Sequence, residues 1–369
     1  MEHLVIEFDG VLEFQEKLSS CIISRANSSK SLLFQLYTSV LDKEYLKEIS
    51  NLIKSRFPLA EVIGCTTVGE IIKGEARENT SVISITSLIS STVKTLSMEV
   101  EPKSEFCVGE QLGKTIRTLS NEPIKAVILL ATPLSIVCEK LLDGLNSQIG
   151  EIPIVGGGAG DQLIMRESLV LQSSNVYTNG AAIAIFYGNT LKVDIKNILG
   201  WVPFGQKMNV TKVNKNSILE IDNKPALDVY QRYIGNICPE NIEDAISFPL
   251  IFDREGKHIA RVPISIDENK GLGFIADVHC NETVRLGYGD INSILQEVRQ
   301  NVAEVERFSP ESIFLYSCCC RQTFLQHDVN LELRPFEHIA PTAGFFTLGE
   351  FSNQVSSTNV LNSELRWFN

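Results

Sequence analysis

No apolar run in the chain approaches the ~20 residues that a membrane span needs. Histidine is scarce: His3, His258, His279, His327 and His338 are the only five, and no pair shows the His-x-x-x-His spacing of a helical metal site. The nine cysteines include no CxxC pair and form no disulfide framework, which removes the usual structural zinc pattern and the small secreted scaffolds. Basic residues are outnumbered, with a formal net charge of −12, so broad nucleic-acid or anionic-membrane binding is not expected. Met1-Glu2-His3 leads straight into a strand-like segment, so no secretory leader is expected and a reducing, cytoplasmic location is the simple reading. Low-complexity tracts are absent. With 44% hydrophobic residues, 369 residues suffice for a large core and about two or three domains.

What is present is a turn written twice. Gly64-Cys65-Thr66-Thr67-Val68-Gly69-Glu70-Ile71 and Gly344-Phe345-Phe346-Thr347-Leu348-Gly349-Glu350-Phe351 are both G-x-x-T-x-G-E followed by an apolar residue. Gly156-Gly157-Gly158-Ala159-Gly160-Asp161 is a looser third version. The repetition predicts an α/β protein of two related mixed α/β halves with a ligand site at their junction. Residues 1–205 form the first and 206–369 the second, joined near Gly200 to Gly205.

Strands are expected at Leu32–Tyr37, Ala126–Leu130, Ile152–Val155, Ala181–Phe186, Leu191–Ile195, Met208–Val213 and Ile313–Tyr316. Val82–Leu88 and Thr92–Val100 read as antiparallel strands. Helices are expected at Glu44–Arg56, Glu110–Leu119, Ile136–Leu145, Ala226–Tyr233 and Asp290–Glu306, the last from a clear apolar stripe. Pro249–Phe252, His258–Ile266, Gly273–Val278 and Thr283–Leu286 read as a meander. Gln162 to Leu171 reads as strand, and Ser317 to Glu337 as an irregular polar stretch.

Each motif has a plain reading beside the functional one. The Gly156–Asp161 loop lacks the lysine and following Ser or Thr of a phosphate loop, and a tight turn needing positive φ explains it better. Glu70 and Glu350 could be an acid/base pair, but a carboxylate bracing its own turn is the stronger reading. Cys318-Cys319-Cys320 on a strand end would place Cys318 and Cys320 on one face, with Cys319 on the other. Buried small hydrophobes are the default for such residues. A metal would need recruits from elsewhere, and Arg321 beside the cluster would favour a thiolate if close to it. His258 and His279, at strand ends, are the histidines of most interest. Cys238-Pro239 is a dipeptide of the kind that sometimes ligates haem. No nucleophile–base pair or metal motif points to an enzyme.

The ordered set of motifs resembles the FIST family. Gly64 to Ile71, Gly157 to Asp161 and Gly200-Trp201-Val202-Pro203-Phe204-Gly205 look like its N-terminal domain. Asp222 to Ala226, Tyr230 to Gly235, Phe248-Pro249-Leu250, Arg261, Ser317-Cys318 with Arg321, and Gly344 to Glu350 resemble its C-terminal domain. The likeness departs at Cys320, where the family has glycine, and at Ser357-Thr358-Asn359, where it has His-Asn-Gln. The resemblance implies a sensory module of signal transduction that binds a small ligand. It points to the stand-alone bacterial members, which include haem-binding nitric oxide sensors acting on a partner histidine kinase and proteins considered thiol-responsive or zinc-binding. The expected site joins Cys65, Thr67, Glu70, Asp161, Arg261, Cys318, Arg321 and Glu350, whose arginines would suit a carboxylate or a haem propionate. His258 and His279 are candidate haem ligands, and Cys318, Cys319 and Cys320 candidate metal ligands. Three readings stay open: a haem-based nitric oxide sensor, a non-haem sensor of an amino-acid-like molecule, and a thiol or zinc redox switch. A symmetric homodimer is the default assembly.

Overall fold

The structure is a computed structural model that describes residues 1–21, 29–235, 242–254, 257–353 and 359–361. Cys238-Pro239 and Ser357-Thr358 lie outside the described residues. The fold is mixed α/β, as expected.

Its organising element is a strand–helix–strand unit used three times. In the first unit the leading strand Ser31–Thr38 and the closing strand Glu61–Thr66 pair in parallel around the helix Lys43–Arg56. In the second, Ile124–Ala131 and Ile154–Gly158 flank Cys138–Ile149. In the third, Ile313–Cys318 and Thr342–Thr347 flank the two helices Cys319–Leu325 and Val329–Glu337. The two copies of the turn in the sequence, and the looser third, close these three units.

Beyond each turn the chain leaves its own sheet. Gly69–Ile72 of the first unit pairs antiparallel with the closing strand of the third. Glu350–Ser352 of the third pairs with the closing strand of the second. Val170–Gln172 of the second pairs with the closing strand of the first. Three backbone bonds stitch the turns in the same cyclic order: Val68 N to Phe346 O at 3.1 Å, Leu348 N to Gly158 O at 2.9 Å, and Gly160 N to Thr66 O at 2.9 Å.

The glycine that opens each turn follows from this packing. Gly64, Gly156 and Gly344 each lie opposite a leucine of the parallel leading strand, namely Leu36, Leu129 and Leu315. A Cβ on Gly64 would stand 2.6 Å from the Leu36 carbonyl oxygen, and one on Gly156 or Gly344 would overlap the matching carbonyl.

Ser81–Leu88 extends the first sheet beside Ser31–Thr38. Thr92–Glu99 joins the second sheet by pairing with Gly180–Tyr187. These two neighbours in sequence therefore do not pair with each other, because each is claimed by a different unit. The sheets share a core in which Tyr37 stacks on Phe345 at 4.9 Å and Tyr316 meets the same ring edge-on at 5.6 Å.

An antiparallel sheet of eight strands intervenes between the second and third units. Its longest strand, Trp201–Asn214, spans the expected junction at Gly200 to Gly205. Of the expected meander, Leu250–Arg254, Lys257–Arg261 and Thr283–Gly289 form, whereas Gly273–Val278 contributes only Leu272–Gly273. Leu191 to Ile195 forms no strand, although Ile195 is buried. The helix Ile291–Phe308 lays Ile294, Val298 and Val305 on the third unit.

Candidate functional site

The glycine turns make a buried knot. Thr67 Oγ1 donates to Glu70 Oε1 at 2.5 Å, and Thr347 Oγ1 donates to Glu350 Oε1 at 2.6 Å. Both carboxyl groups are fully buried. Burial lifts the Glu70 pKa to about 8 against the opposing pull of the Thr67 hydroxyl. Cys65 belongs to the shared apolar core, and burial pushes its thiol well above the usual range. These residues lie at the centre of the fold, where the three units meet.

Asp161 has a local task. Its carboxylate accepts the backbone N–H groups of Met165 at 3.0 Å, Arg166 at 2.7 Å and Glu167 at 3.2 Å. The loop it organises replaces the strand expected from Gln162 onward, and it holds Gln162, Leu163 and Met165 at φ of 58°, 65° and 60°. Three side-chain-bearing residues in the left-handed region within four positions is backbone strain of the kind found at functional loops.

The two expected ligand arginines are both fully buried and both committed. Arg261 donates to Glu139 and to the Asp277 carbonyl, and its guanidinium lies 5.2 Å from the centre of the Phe252 ring. Burial lowers its pKa, opposed by Glu139. Arg254 joins the same carboxylate at 3.1 Å and Glu282 at 2.5 Å, so this cluster ties the eight-stranded sheet to the second unit. Arg321 donates from Nε to Glu332 Oε1 at 2.6 Å and from Nη1 to the carbonyls of Ile198 at 3.2 Å and Leu199 at 2.9 Å.

Arg321 is thus held by Glu332 and two backbone carbonyls, and it is not among the groups that shift the neighbouring thiols. Cys318, Cys319 and Cys320 have their sulfurs within 4.8 Å of one another. The strand ends at Cys318 and a helix begins at Cys319, so the alternation expected of a strand does not separate them. All three thiol pKa values lie well above the usual range. For Cys318 the main cause is burial, and for Cys319 it is the hydrogen bond with Cys318.

An open cleft of about 1060 Å³ lies beside this knot. Val68, Asn79 and Gln162 line it from the first and second units, Ile246 and Ser247 from the segment before the eight-stranded sheet's strand Leu250–Arg254, and Gln322, Phe324, Gln326, His327 and Asn330 from the third unit. None of the eight residues expected to bind a ligand lines it. Val68, Gln162 and Gln322 do, and each follows directly on one of those eight: Thr67, Asp161 and Arg321.

Five carboxamides, Asn79, Gln162, Gln322, Gln326 and Asn330, are among the lining. Gln162 Nε2 donates to Asn79 Oδ1 at 2.8 Å, and Gln322 Nε2 donates to Glu78 Oε1 at 2.8 Å. Gln322 is 9% exposed, and its Oε1 has no hydrogen-bond partner among the described residues. Its amide lies against the backbone of Gly69, where a Cβ would come within 3.0 Å of Nε2. The second glycine of the repeated turn thus makes room for a cleft residue. His258 and His279 are exposed and outside the cleft, whereas His327 lines it.

The FIST N domain model matches residues 33–224, and the FIST C domain model matches residues 226–353. An uncharacterized protein of Methanocaldococcus jannaschii is 23% identical over 324 residues, covering 81% of this chain. The chain spans 62% of the length of that relative. The two family models meet at residues 224 and 226, and the cleft lies where their residues face each other, so the chain belongs to the FIST family.

Proposed function

We propose that the protein is a sensory protein of signal transduction, a binding protein rather than an enzyme, and that it takes up a small polar molecule of the amino-acid type in the cleft between its two FIST regions. One observation carries the reading: Gln322, buried yet with a carbonyl oxygen that has no partner among the described residues, stands in a cleft that Asn79, Gln162, Gln326 and Asn330 also line. A buried acceptor without a partner costs about 1–3 kcal/mol, which a donor on a bound ligand would recover. Glu78 at the rim suits an ammonium group, and Gln162, Gln326 and Asn330 suit polar substituents. Binding would be reported through the strained loop beyond Asp161, whose Leu163, Ile164 and Met165 are exposed, to a partner such as a histidine kinase.

Thermal-shift screening of the twenty amino acids and their amides tests this. A hit should raise the melting temperature in wild type, and Gln322→Ala should abolish the shift. A hit that Gln322→Ala leaves unchanged would place the ligand elsewhere and refute the reading.

Haem fits these residues less well. The lining is mostly polar, and Arg261, Arg321, His258 and His279 all lie outside the cleft. If haem binds here, His327 is the lining residue able to hold the iron. An absorption spectrum decides: a Soret band that responds to nitric oxide and is lost in His327→Ala would favour the haem sensor.

A further inference from the structure

The three consecutive cysteines are unused by the reading above. Their sulfurs are mutually within 4.8 Å, and no histidine, aspartate or glutamate among the described residues completes the group. Cys318 and Cys319 are 2% and 6% exposed and belong to an apolar core with Leu315, Phe346 and Leu348. Cys320 is half-buried and packs against the small cluster of Ala245, Ile246 and Val262, of which Ile246 lines the cleft.

We propose that Cys318, Cys319 and Cys320 form a three-sulfur site for a trivalent thiophilic ion of the arsenite class, entered past Cys320 from the cleft. Three considerations select this occupant. The first is ligand number: structural zinc takes four ligands, and the cluster offers three. The second is geometry: a pyramidal three-coordinate ion with bonds of about 2.3 Å to sulfur holds its sulfurs roughly 3.5 Å apart, inside the 4.8 Å within which the three already lie.

The third is charge. Three sulfurs bound as thiolates carry −3, so a trivalent ion leaves the site neutral, a divalent ion leaves −1 and a monovalent ion −2. Uncompensated charge in an apolar core is costly, the more so near the Glu350 carboxyl, which acts electrostatically on all three cysteines. The exchange balances with neutral partners: As(OH)₃ + 3 Cys–SH → As(S–Cys)₃ + 3 H₂O. Three arsenic–oxygen bonds break, three arsenic–sulfur bonds form, each thiol proton leaves on a water, and no oxidation state changes. The helix Cys319–Leu325 that carries two of the sulfurs also presents Gln322 and Phe324 to the cleft, so a shift of the sulfurs on binding would be passed to a cleft wall.

The test is a titration of the purified full-length protein with sodium arsenite, read by native mass and by a count of remaining thiols. One arsenic per chain and a loss of three thiols are expected. Cys320→Ser should weaken binding more than about a hundredfold, while Cys107→Ser and Cys280→Ser, both exposed and outside the cluster, should not. Arsenic K-edge absorption on the wild type counts the sulfurs without any variant, should Cys320→Ser fail to fold. Fewer than three sulfurs at arsenic, unchanged binding in a folded Cys320→Ser, or equally tight binding of zinc(II) would overturn the proposal.

Discussion

A threonine and a glutamate three residues apart set the character of the repeated turn. The T-x-x-E pair was plain in the sequence, and the bracing role of the carboxylate was legible. The threonine hydroxyl as its donor was not, because spacing alone does not say which way a turn closes. Glu70 has its pKa lifted by burial from 4.5 to about 8. The folded state therefore retains a proton that the unfolded chain loses, and stability falls as pH rises from about 4.5 to about 8, by up to about 1.4 kcal/mol per pH unit. Glu70→Gln keeps an acceptor for Thr67 and removes the titration. Denaturant melts of the variant should show a flatter pH profile across that window and equal or greater stability at pH 8. An unchanged profile would mean that Glu70 is ionised in the folded protein.

Among the elements, those with a simple apolar period were readable. Lys43–Arg56 buries Leu46, Ile49 and Ile53, and Ile291–Phe308 buries Ile294, Val298 and Val305. The helices Cys319–Leu325 and Val329–Glu337 were read as an irregular polar stretch for a physical reason. Their inner faces carry Arg321 and Glu332, each 0% exposed, so charge occupies positions where the helical pattern calls for apolar residues. The same charges hid the cleft, since the arginine drew attention and the glutamine after it did the lining. A buried pair punishes the loss of one partner more than the loss of both. Glu332→Leu alone should cost about 3–5 kcal/mol in chemical denaturation. Arg321→Met with Glu332→Leu should cost less than the two single changes added together, by at least about 1 kcal/mol. Strict additivity would show that the pair contributes nothing beyond packing.

Taken whole, the molecule's two FIST regions are interlocked through a ring of three strand–helix–strand units. Each family region holds incomplete sheets: Gly69–Ile72 needs Thr342–Thr347, and Ile154–Gly158 needs Glu350–Ser352. This long-range pairing was invisible in the sequence, where the three turns gave the repeat but not its partners. Residues 1–224 expressed alone should be insoluble or fail to give a cooperative melt, because two sheet edges and the Val68 turn lose their partners. Co-expression with residues 225–369 should recover a soluble complex that copurifies. A cooperative melt of the first fragment alone would show that the crossing strands are dispensable.

The ring also has a consequence in time. During synthesis the first unit emerges early, yet Gly69–Ile72 cannot find its neighbour until Thr342–Thr347 has left the ribosome. At ~5–20 residues per second that interval is roughly 15–55 s. For that period the nascent chain carries an open sheet edge with Ile71 and Ile72 lacking their final neighbours, so mispairing of that edge is the hazard that the long separation creates.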